Sequence, residues 1–369
     1  MRIGILTLQG ATNYGAVLQV LALREHLVRC GHEVDVIDYY TSEVYGFYDY
    51  HVFSKPVSAR SVVSKTLRRR RNEREFKAFE AFRQEHLSFS ARCETRDDFK
   101  TVCEGYDAII CGSDQVWNPK ANGGHNEEYF LGALDGSRVR KVAYAASFGN
   151  VDRAKGLESD IARWLGGYSG ISVREEEAVG FVSSLCGKPV QRVIDPSMLL
   201  DATGYERYER PLDAPEHYIL TYMLGINDGM TKAVREASRA LGLPVVALGR
   251  KMPESTFIKD IGPGEFLSLY RRADAVITSS FHGTAFSLLY GKPFVTFGNG
   301  GYNSRMETLL GVVGQMDRFT VDGMNSDRLL ELLSAAPETP FSEVAAGERN
   351  NAAEFLSDAL DGGAERVVR

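Results

Sequence analysis

The stretch between residues 274 and 295 constrains the fold more than any other part of the sequence. It predicts a short buried strand over 275–277, a turn of small residues over 279–284, an apolar helix over 284–290 and a second strand over 294–297. The Gly-Lys-Pro that follows the helix ends it, because proline cannot continue a helix. A strand–turn–helix–strand unit of this kind is typical of a parallel α/β sheet.

His282 lies in the predicted turn of this unit, between the end of a strand and the start of a helix. Ligands of open α/β sheets bind at the carboxyl ends of strands, and the N–H groups at a helix start attract anions. The position therefore predicts an anion site that carries a titratable group. The alternative is a turn histidine that is hydrogen-bonded into the core.

A chain of 369 residues is too long for one ordinary hydrophobic core, so we expect two domains. The alternation of strand and helix patterns begins at residue 2 and starts again at residue 218. We therefore predict an α/β protein with two doubly wound, Rossmann-like domains facing a cleft. The predicted parts are an N-terminal domain over 1–195 with an aromatic and helical insertion at about 41–100, a linker over 196–214, a C-terminal domain over 215–340, and a C-terminal helix and tail over 341–369.

Charge, cysteine usage and hydropathy argue against several classes of function. The net charge of −6 argues against a nucleic-acid partner, since nucleic-acid-binding domains are usually basic. The five cysteines include no CxxC pair and no HxxxH spacing occurs, so we expect no metal site and no disulfide framework, as in a reducing cytoplasm. No apolar run approaches the roughly 20 residues of a membrane-spanning helix, and a cytoplasmic protein is expected.

The insertion has an unusual composition. Aromatic side chains crowd residues 40–53, and the run Arg68–Arg71 makes the following helical stretch basic. Such a run is usually a solvated helix face. The second interpretation is contact with anionic lipid head groups, which would place the protein peripherally on the inner face of the cell membrane through residues 41–87.

Two polar loops follow predicted strands of the first domain and are candidates for binding an acceptor substrate. The first holds Asn13, Tyr14 and Gly15, and the second holds Asp114, Gln115, Trp117 and Asn118. Asn13 and Gly15 are also compatible with ordinary turn chemistry. Asp114 either caps a turn or accepts a proton or a sugar hydroxyl, and Trp117 either stacks on a sugar ring or lies buried. The first loop lacks the three-glycine dinucleotide fingerprint, so no NAD cofactor is predicted.

Arg174 lies where a predicted strand runs into a charged helix start. A cation at that end opposes the helix dipole, so we expect Arg174 to have an anionic partner. The candidates are Glu175, Glu176 and an anionic ligand.

Six stretches, in order along the chain, resemble the polysaccharide pyruvyl transferase family. They are Asn13-Tyr14-Gly15 with Gln19, Cys111–Asn118, Tyr144–Gly149, Ile171–Glu175, Asp195–Ser197, and Ser280–Thr284 with Gly291–Pro293. The resemblance implies a GT-B-like fold and transfer of a pyruvyl group from phosphoenolpyruvate to sugar hydroxyls of a cell-surface polysaccharide or its precursor, forming a pyruvate ketal. It implies no cofactor beyond phosphoenolpyruvate as co-substrate, and a sugar, oligosaccharide or lipid-linked glycan as acceptor.

Within the family, the donor is bound by the arginine that matches Arg174 and by the histidine that matches His282. Many members carry an arginine two residues before that histidine, where this chain has Ser280. We hypothesise that Arg305, Arg250 or Lys251 replaces it.

The resemblance and the chemistry of an anionic donor together assign roles to individual residues. Donor binding is assigned to Arg174, Ser280, Arg305 and the backbone amides of Gly283 and Thr284. His282 is the predicted general acid, since histidine donates protons near neutral pH, and Asp114 is the predicted base.

Two other functions are compatible with the same sequence. One is a GT-B-type glycosyltransferase that uses a nucleotide sugar. The other is a non-catalytic glycan-binding relative, for which the replacement of the family arginine by Ser280 is the only support.

Overall fold

The computed structural model describes residues 1–41, 59–298, 303–337 and 341–361, with side chains described for all of these except 59–72. Residues 42–53 of the aromatic segment and the side chains of the basic run lie outside what the structure describes, so the membrane contact through 41–87 stays a prediction. The chain divides into two compact units. The first is Met1–Leu199 together with the stretch that begins at Glu348, and the second is Leu200–Gly347.

The first unit is built on a six-stranded parallel sheet with the order β2-β1-β3-β4-β5-β6. Its strands are β1 (Arg2–Leu6), β2 (Glu33–Val36), β3 (Ala108–Cys111), β4 (Arg140–Ala146), β5 (Tyr168–Val173) and β6 (Gln191–Arg192). Its helices are α1 (Tyr14–Arg29), α2 (Ala59–His86), α3 (Arg96–Cys103), α4 (Asn126–Tyr129), α5 (Glu158–Leu165) and α6 (Glu176–Cys186). The strand order reverses between β1 and β3, which makes the carboxyl ends of these two strands a topological switch point.

The second unit has a six-stranded parallel sheet with the order β12-β11-β10-β7-β8-β9. Its strands are β7 (Ile219–Tyr222), β8 (Val245–Leu248), β9 (Ser255–Phe257), β10 (Ala275–Thr278), β11 (Phe294–Phe297) and β12 (Phe319–Thr320). Its helices are α7 (Ala202–Tyr205), α8 (Asp228–Leu241), α9 (Pro263–Arg272), α10 (Phe281–Leu289), α11 (Ser304–Val312) and α12 (Ser326–Ser334). The order reverses between β7 and β10, as in the Rossmann arrangement, and the predicted pair of doubly wound α/β sheets is confirmed.

The last helix, α13 (Phe341–Asp361), carries the chain back to the first unit. The guanidinium of Arg192, the last residue of β6, donates two hydrogen bonds of 2.9 Å to the carboxylate of Glu348. The ring of Phe355 lies 6.3 Å from that of Tyr144 in β4, centre to centre. The C-terminal helix is therefore part of the first unit's packing, and it is not a detached tail.

The central strands are apolar runs because they are buried on both faces, as parallel strands covered by helices must be. All four residues of β3, β7, β8, β10 and β11 are buried. Polar residues return where each strand ends, so polar chemistry concentrates at the carboxyl edge of each sheet.

Helix α10 begins at Phe281, three residues earlier than the sequence pattern predicted. Ser280 is its N-cap and accepts a hydrogen bond from the N–H of Gly283, a favoured role for serine. Gly283 lies so close to β10 that a Cβ there would be 2.1 Å from Oγ1 of Thr278 and 3.0 Å from the hydroxyl of Tyr270. Glycine is therefore required for the first turn of α10 to pack against the strand.

We expect Gly283→Ala to lower the free energy of unfolding by about 1–3 kcal/mol, because the added methyl group overlaps Thr278. Gly311→Ala in α11 is the matched control, since a Cβ there meets nothing within 4 Å. That substitution should be neutral or stabilise the protein by up to about 1 kcal/mol. Urea denaturation of both variants measures the difference, and equal midpoints would contradict the proposed close packing.

Candidate active site

Polar side chains gather at the carboxyl edge of the first unit's sheet, and nearly all of them are buried. They are Thr7 after β1, Ser113 and Asp114 after β3, Ser147 after β4, Arg174 and Glu175 after β5, and Asp195 after β6. Buried polar groups need partners, so this edge is held together by hydrogen bonds and ion pairs.

Arg174 is the centre of the group. It is 3% exposed, and its two terminal nitrogens reach Oδ2 of Asp195 at 2.7 Å and Oδ1 of Asp114 at 3.3 Å. Burial acts to lower the pKa of Arg174, but the Asp195, Asp114 and Glu175 carboxylates outweigh it and raise the pKa. The two carboxylates that pair with Arg174 follow strands that are distant from it in sequence. No local sequence pattern predicts these two ion pairs.

Asp195 is held from several sides. Its Oδ1 accepts hydrogen bonds from the N–H and the hydroxyl of Ser197, at 2.9 and 2.7 Å. Its Oδ2 accepts from Arg174 and, at 3.4 Å, from the hydroxyl of Ser113. Its carboxylate therefore joins the loop after β3 to the ends of β5 and β6.

Asp114 is the member of the cluster that a substrate could reach. Its side chain is 12% exposed, against 2% for Arg174 and 1% for Asp195. Its backbone has a φ of 65°, a left-handed conformation that aspartate tolerates better than most residues. Its role as a base stays a prediction, and this exposure is consistent with it.

Gln19 links the two strands of the switch point. Its side-chain nitrogen donates to Oγ1 of Thr7 at 3.0 Å, and its oxygen accepts from the N–H of Ser113 at 3.1 Å. In the sequence, Gln19 stands out only as part of a family motif. Its structural role is to hold the loops after β1 and β3 beside each other.

The first predicted acceptor loop is largely structural. Asn13 is exposed and caps α1, with Oδ1 accepting from the N–H of Ala16 at 3.3 Å. Tyr14 is 5% exposed, and its ring packs 4.9 Å from that of Phe79, centre to centre. Its contact with an acceptor stays a prediction. Gly15 is buried in the first turn of α1, which leaves Asn13 as the accessible member.

Much of the second predicted acceptor loop is buried as well. Trp117 has no exposed surface, and its indole stacks on Phe130 with ring centres 4.9 Å apart, so it has no face for a sugar ring. Asn118 is 3% exposed and donates to Oε1 of Gln115 at 2.7 Å. Gln115, which is half-buried, and the partly exposed side chain of Asp114 keep surface for a ligand. The acceptor contacts of Trp117 and Asn118 stay predictions.

The insertion helix α2 supports the first loop. Arg83 is 4% exposed, and its Nη1 donates to the carbonyl oxygens of Gln9 and Ala11, both at 3.3 Å. Glu80, one turn earlier, pairs with the same guanidinium at 3.0 Å. The sequence does not predict this contact, because no residue near Arg83 in sequence identifies the loop after β1 as its partner.

In the second unit, His282 lies in the first turn of α10, directly after β10 at the switch point. It is 6% exposed, and its ring packs edge-to-face on Phe281 with centres 5.1 Å apart. The guanidinium of Arg305 lies 5.9 Å from the centre of the same phenyl ring. Arg305 is the second residue of α11, where a cation opposes the helix dipole and an anion nearby would be favourable.

The backbone amides of Gly283 and Thr284, which were assigned to donor binding, are hydrogen-bonded within the start of α10. Their contact with a donor stays a prediction. The N–H of Gly283 donates to Oγ of Ser280 at 3.4 Å, and that of Thr284 donates to the carbonyl oxygen of Ser280 at 2.9 Å. Ser280 is itself 3% exposed. These groups build the helix cap, so in this structure they do not present donors to a ligand.

Two further predicted cations lie after β8 in the second unit. Arg250 and Lys251 are exposed, and Nε of Arg250 donates to the carbonyl oxygen of Leu224 at 3.4 Å. The N–H of Leu224 donates to Oγ of Ser279 at 3.1 Å. These two hydrogen bonds connect the loop after β7 to the residues that follow β8 and β10, at the sheet edge where His282 lies.

Across residues 1–41, 59–298, 303–337 and 341–361, no three His, Cys, Asp or Glu side chains are arranged to hold a metal ion. Over the same ranges, every helix is too short or too polar to cross a lipid bilayer.

Two parallel doubly wound sheets with polar carboxyl edges define a GT-B-like α/β protein. UDP-GlcNAc 2-epimerase from Methanocaldococcus jannaschii has a similar structure, with 12% identity, a TM-score of 0.53, and coverage of 97% of this chain and 99% of that one. Anabaena HepE in complex with UDP-glucose is also similar, with 12% identity, a TM-score of 0.54, and coverage of 97% and 100%. At these identities the likeness shows the fold alone.

The family model of polysaccharide pyruvyl transferases matches residues 13–301, and the chain belongs to that family. The family that the sequence motifs resemble is thereby confirmed. No curated protein matches the sequence.

We expect Asp195→Ala to lower the free energy of unfolding by about 3–5 kcal/mol, because it leaves the buried guanidinium of Arg174 without its nearest carboxylate. Asp152→Ala is the matched control, since Asp152 pairs with Lys155 at the surface with side chains 68% and 76% exposed. Surface pairs contribute about 0–1 kcal/mol. Denaturant unfolding of both variants tests this, and a loss below about 1 kcal/mol for Asp195→Ala would contradict it.

Proposed function

We propose that this protein transfers the pyruvyl group of phosphoenolpyruvate to two hydroxyls of a sugar in a cell-surface polysaccharide or its precursor, forming a pyruvate ketal. The observation that carries the proposal is the different chemistry of the two sheet edges. In the second unit a histidine and cations follow the strands, namely Arg250 and Lys251 after β8, His282 after β10 and Arg305 after β11. In the first unit three carboxylates surround one guanidinium.

The second unit is assigned to the donor. Phosphoenolpyruvate carries a carboxylate and a phosphate, and arginine binds both kinds of group through its planar fork. Arg305, half-buried beside Phe281, is the principal candidate for this contact. His282 lies on the same ring, and a bound phosphate nearby would favour its protonated form, as a general acid requires.

The first unit is assigned to the acceptor hydroxyls. Asp114 is the accessible carboxylate of its cluster and can take a hydroxyl proton. Gln115 and Asn13, on the loops beside it, offer amide groups for further sugar hydroxyls.

The reaction balances without an added oxidant or metal. His282 gives a proton to the methylene carbon of phosphoenolpyruvate, and the oxygen of the first hydroxyl forms a bond to C2. The bond from C2 to the phosphate oxygen breaks, and the second hydroxyl oxygen then bonds to C2. Two hydroxyl protons are released, one proton is consumed at carbon, and one leaves with phosphate.

We expect His282→Ala to reduce phosphoenolpyruvate-dependent phosphate release by about 10²–10⁴-fold, the usual contribution of a positioned acid. Phosphate release is measured with a panel of methyl hexopyranosides as probe acceptors. His217→Ala is the control, because His217 is in the same unit with a side chain 67% exposed. Undiminished release by His282→Ala would rule out this role for His282.

A nucleotide-sugar glycosyltransferase is the second candidate. The second sheet has the strand order whose switch point binds nucleotides in other proteins. Leu224 and Ile226, 50% and 42% exposed after β7, offer apolar surface for a base. A thermal-shift panel of phosphoenolpyruvate, UDP, GDP and nucleotide sugars separates the candidates: protection by phosphoenolpyruvate supports pyruvyl transfer, protection by nucleotides supports the alternative, and protection by neither supports a non-catalytic relative.

A further inference from the structure

We propose that Gln115 helps to select the acceptor sugar by donating a hydrogen bond from Nε2 to one sugar oxygen, and that Asn118 and Arg153 are positioning residues that fix this polarity. A glutamine amide has a donor end and an acceptor end, and its neighbours decide which end meets a ligand. The assignment to a sugar rests on the proposed function, because it concerns the acceptor half of that reaction.

The hydrogen bonds that orient Gln115 begin at groups that can only donate. Nη1 of Arg153 donates to Oδ1 of Asn118 at 3.2 Å, and the backbone N–H of Lys120 donates to the same oxygen at 3.1 Å. Neither a guanidinium nor a backbone N–H can accept, so both require an oxygen at this position. The amide of Asn118 therefore has a single orientation, with Nδ2 on its other side.

That orientation determines the orientation of Gln115. Nδ2 of Asn118 donates to Oε1 of Gln115 at 2.7 Å, so the acceptor end of the glutamine amide is used within its own loop. The donor end, Nε2, forms no hydrogen bond with the residues that the structure describes. Because Gln115 is half-buried, a ligand can reach this donor.

The loop after β4 confines the same amide from another side. A Cβ at Gly149 would lie 2.3 Å from Oε1 of Gln115, so glycine at this position makes room for the amide. The N–H of Trp117 donates to the carbonyl oxygen of Ser147 at 3.2 Å, which joins the two loops. Turning the Gln115 amide over would bring its nitrogen against Nδ2 of Asn118, two donors without an acceptor, and this disfavours the reverse orientation.

The chemistry of this donor fits a sugar with two neighbouring hydroxyls. Gln115 directly follows Asp114, the accessible carboxylate that is assigned to take a hydroxyl proton. A carboxylate only accepts hydrogen bonds, whereas Nε2 only donates them, so the two side chains bind opposite ends of hydroxyl groups. Ketal formation uses two hydroxyls. We therefore expect Asp114 to meet the hydrogen of one and Gln115 to meet the oxygen of the other.

The polarity of the contact can be measured with modified sugars. Calorimetry compares the most tightly bound methyl hexopyranoside of the panel with its monodeoxy and monodeoxyfluoro derivatives, since fluorine accepts a hydrogen bond and cannot donate one. At the sugar position that meets Gln115, the native protein should bind the deoxyfluoro derivative about threefold or more tightly than the deoxy derivative. Gln115→Glu replaces the donor with an acceptor and should reverse this order, because the carboxylate repels fluorine.

Asn118→Asp tests the positioning role without changing residue 115. The aspartate still accepts from Arg153 and from the N–H of Lys120, but it turns an oxygen towards Gln115. The glutamine amide should then rotate, donate to that oxygen and present Oε1 to the ligand. We expect the same reversal of sugar preference as in Gln115→Glu, which a purely structural role of Asn118 would not produce.

Gln191→Glu is the matched control, since Gln191 is exposed in β6 of the same unit and the substitution adds the same charge. It should keep the native order of affinities at every sugar position. Retention of that order by Gln115→Glu would overturn the contact, and retention by Asn118→Asp would overturn the positioning role. Thermal midpoints report folding, and if one of the two variants does not fold, the other decides.

Measuring sugar binding and phosphate release separately distinguishes this contact from the proposed function. If the native protein binds the sugars but releases no phosphate from phosphoenolpyruvate, the proposed function fails and the reversal still decides the contact. If phosphate is released and no reversal occurs, the contact alone fails. A native protein that binds no methyl hexopyranoside would also overturn the contact.

Discussion

The ion pair between Arg174 and Asp195 is the interaction on which the first unit's site depends. Burying both charges has a large desolvation cost, which only close geometry and additional hydrogen bonds offset. Both conditions are met: the pair is 2.7 Å apart, and Ser197 and Ser113 also donate to Asp195. The pair therefore fixes the ends of three strands relative to one another, and Asp114 takes its place from that frame.

In the second unit, the site depends on close packing between a helix and a strand. The first turn of α10 fits against β10 because residue 283 is glycine, and Ser280 satisfies the helix start. This packing sets the position of His282. The residues of the first site come from several strand ends, and ion pairs hold them together. His282, by contrast, is placed by its own helix.

Much of the fold follows from local pattern. The apolar run at 275–277 and the polar residues after it predict both β10 and the location of His282, because strand burial and strand ends are local properties. The environment of an individual side chain is harder to predict from local pattern. Trp117 is in a polar loop by sequence, yet its ring stacks on Phe130 in the core. The sequence pattern predicts the start of α10 three residues late, because small residues at 279–284 are typical of a turn, whereas Ser280 is the N-cap.

By itself the sequence determined the class of fold, the family, and the strand ends where polar chemistry lies. These depend on periodicity, on turn residues and on short motifs, all of which are local along the chain. Only the tertiary structure decided which carboxylates meet Arg174, because Asp195 and Asp114 are 21 and 60 residues away. It likewise decided that Arg83 holds the loop after β1 from a helix 72 to 74 residues distant. Ion pairing depends on distance and burial in three dimensions, and neither is encoded in the neighbours of a residue in sequence.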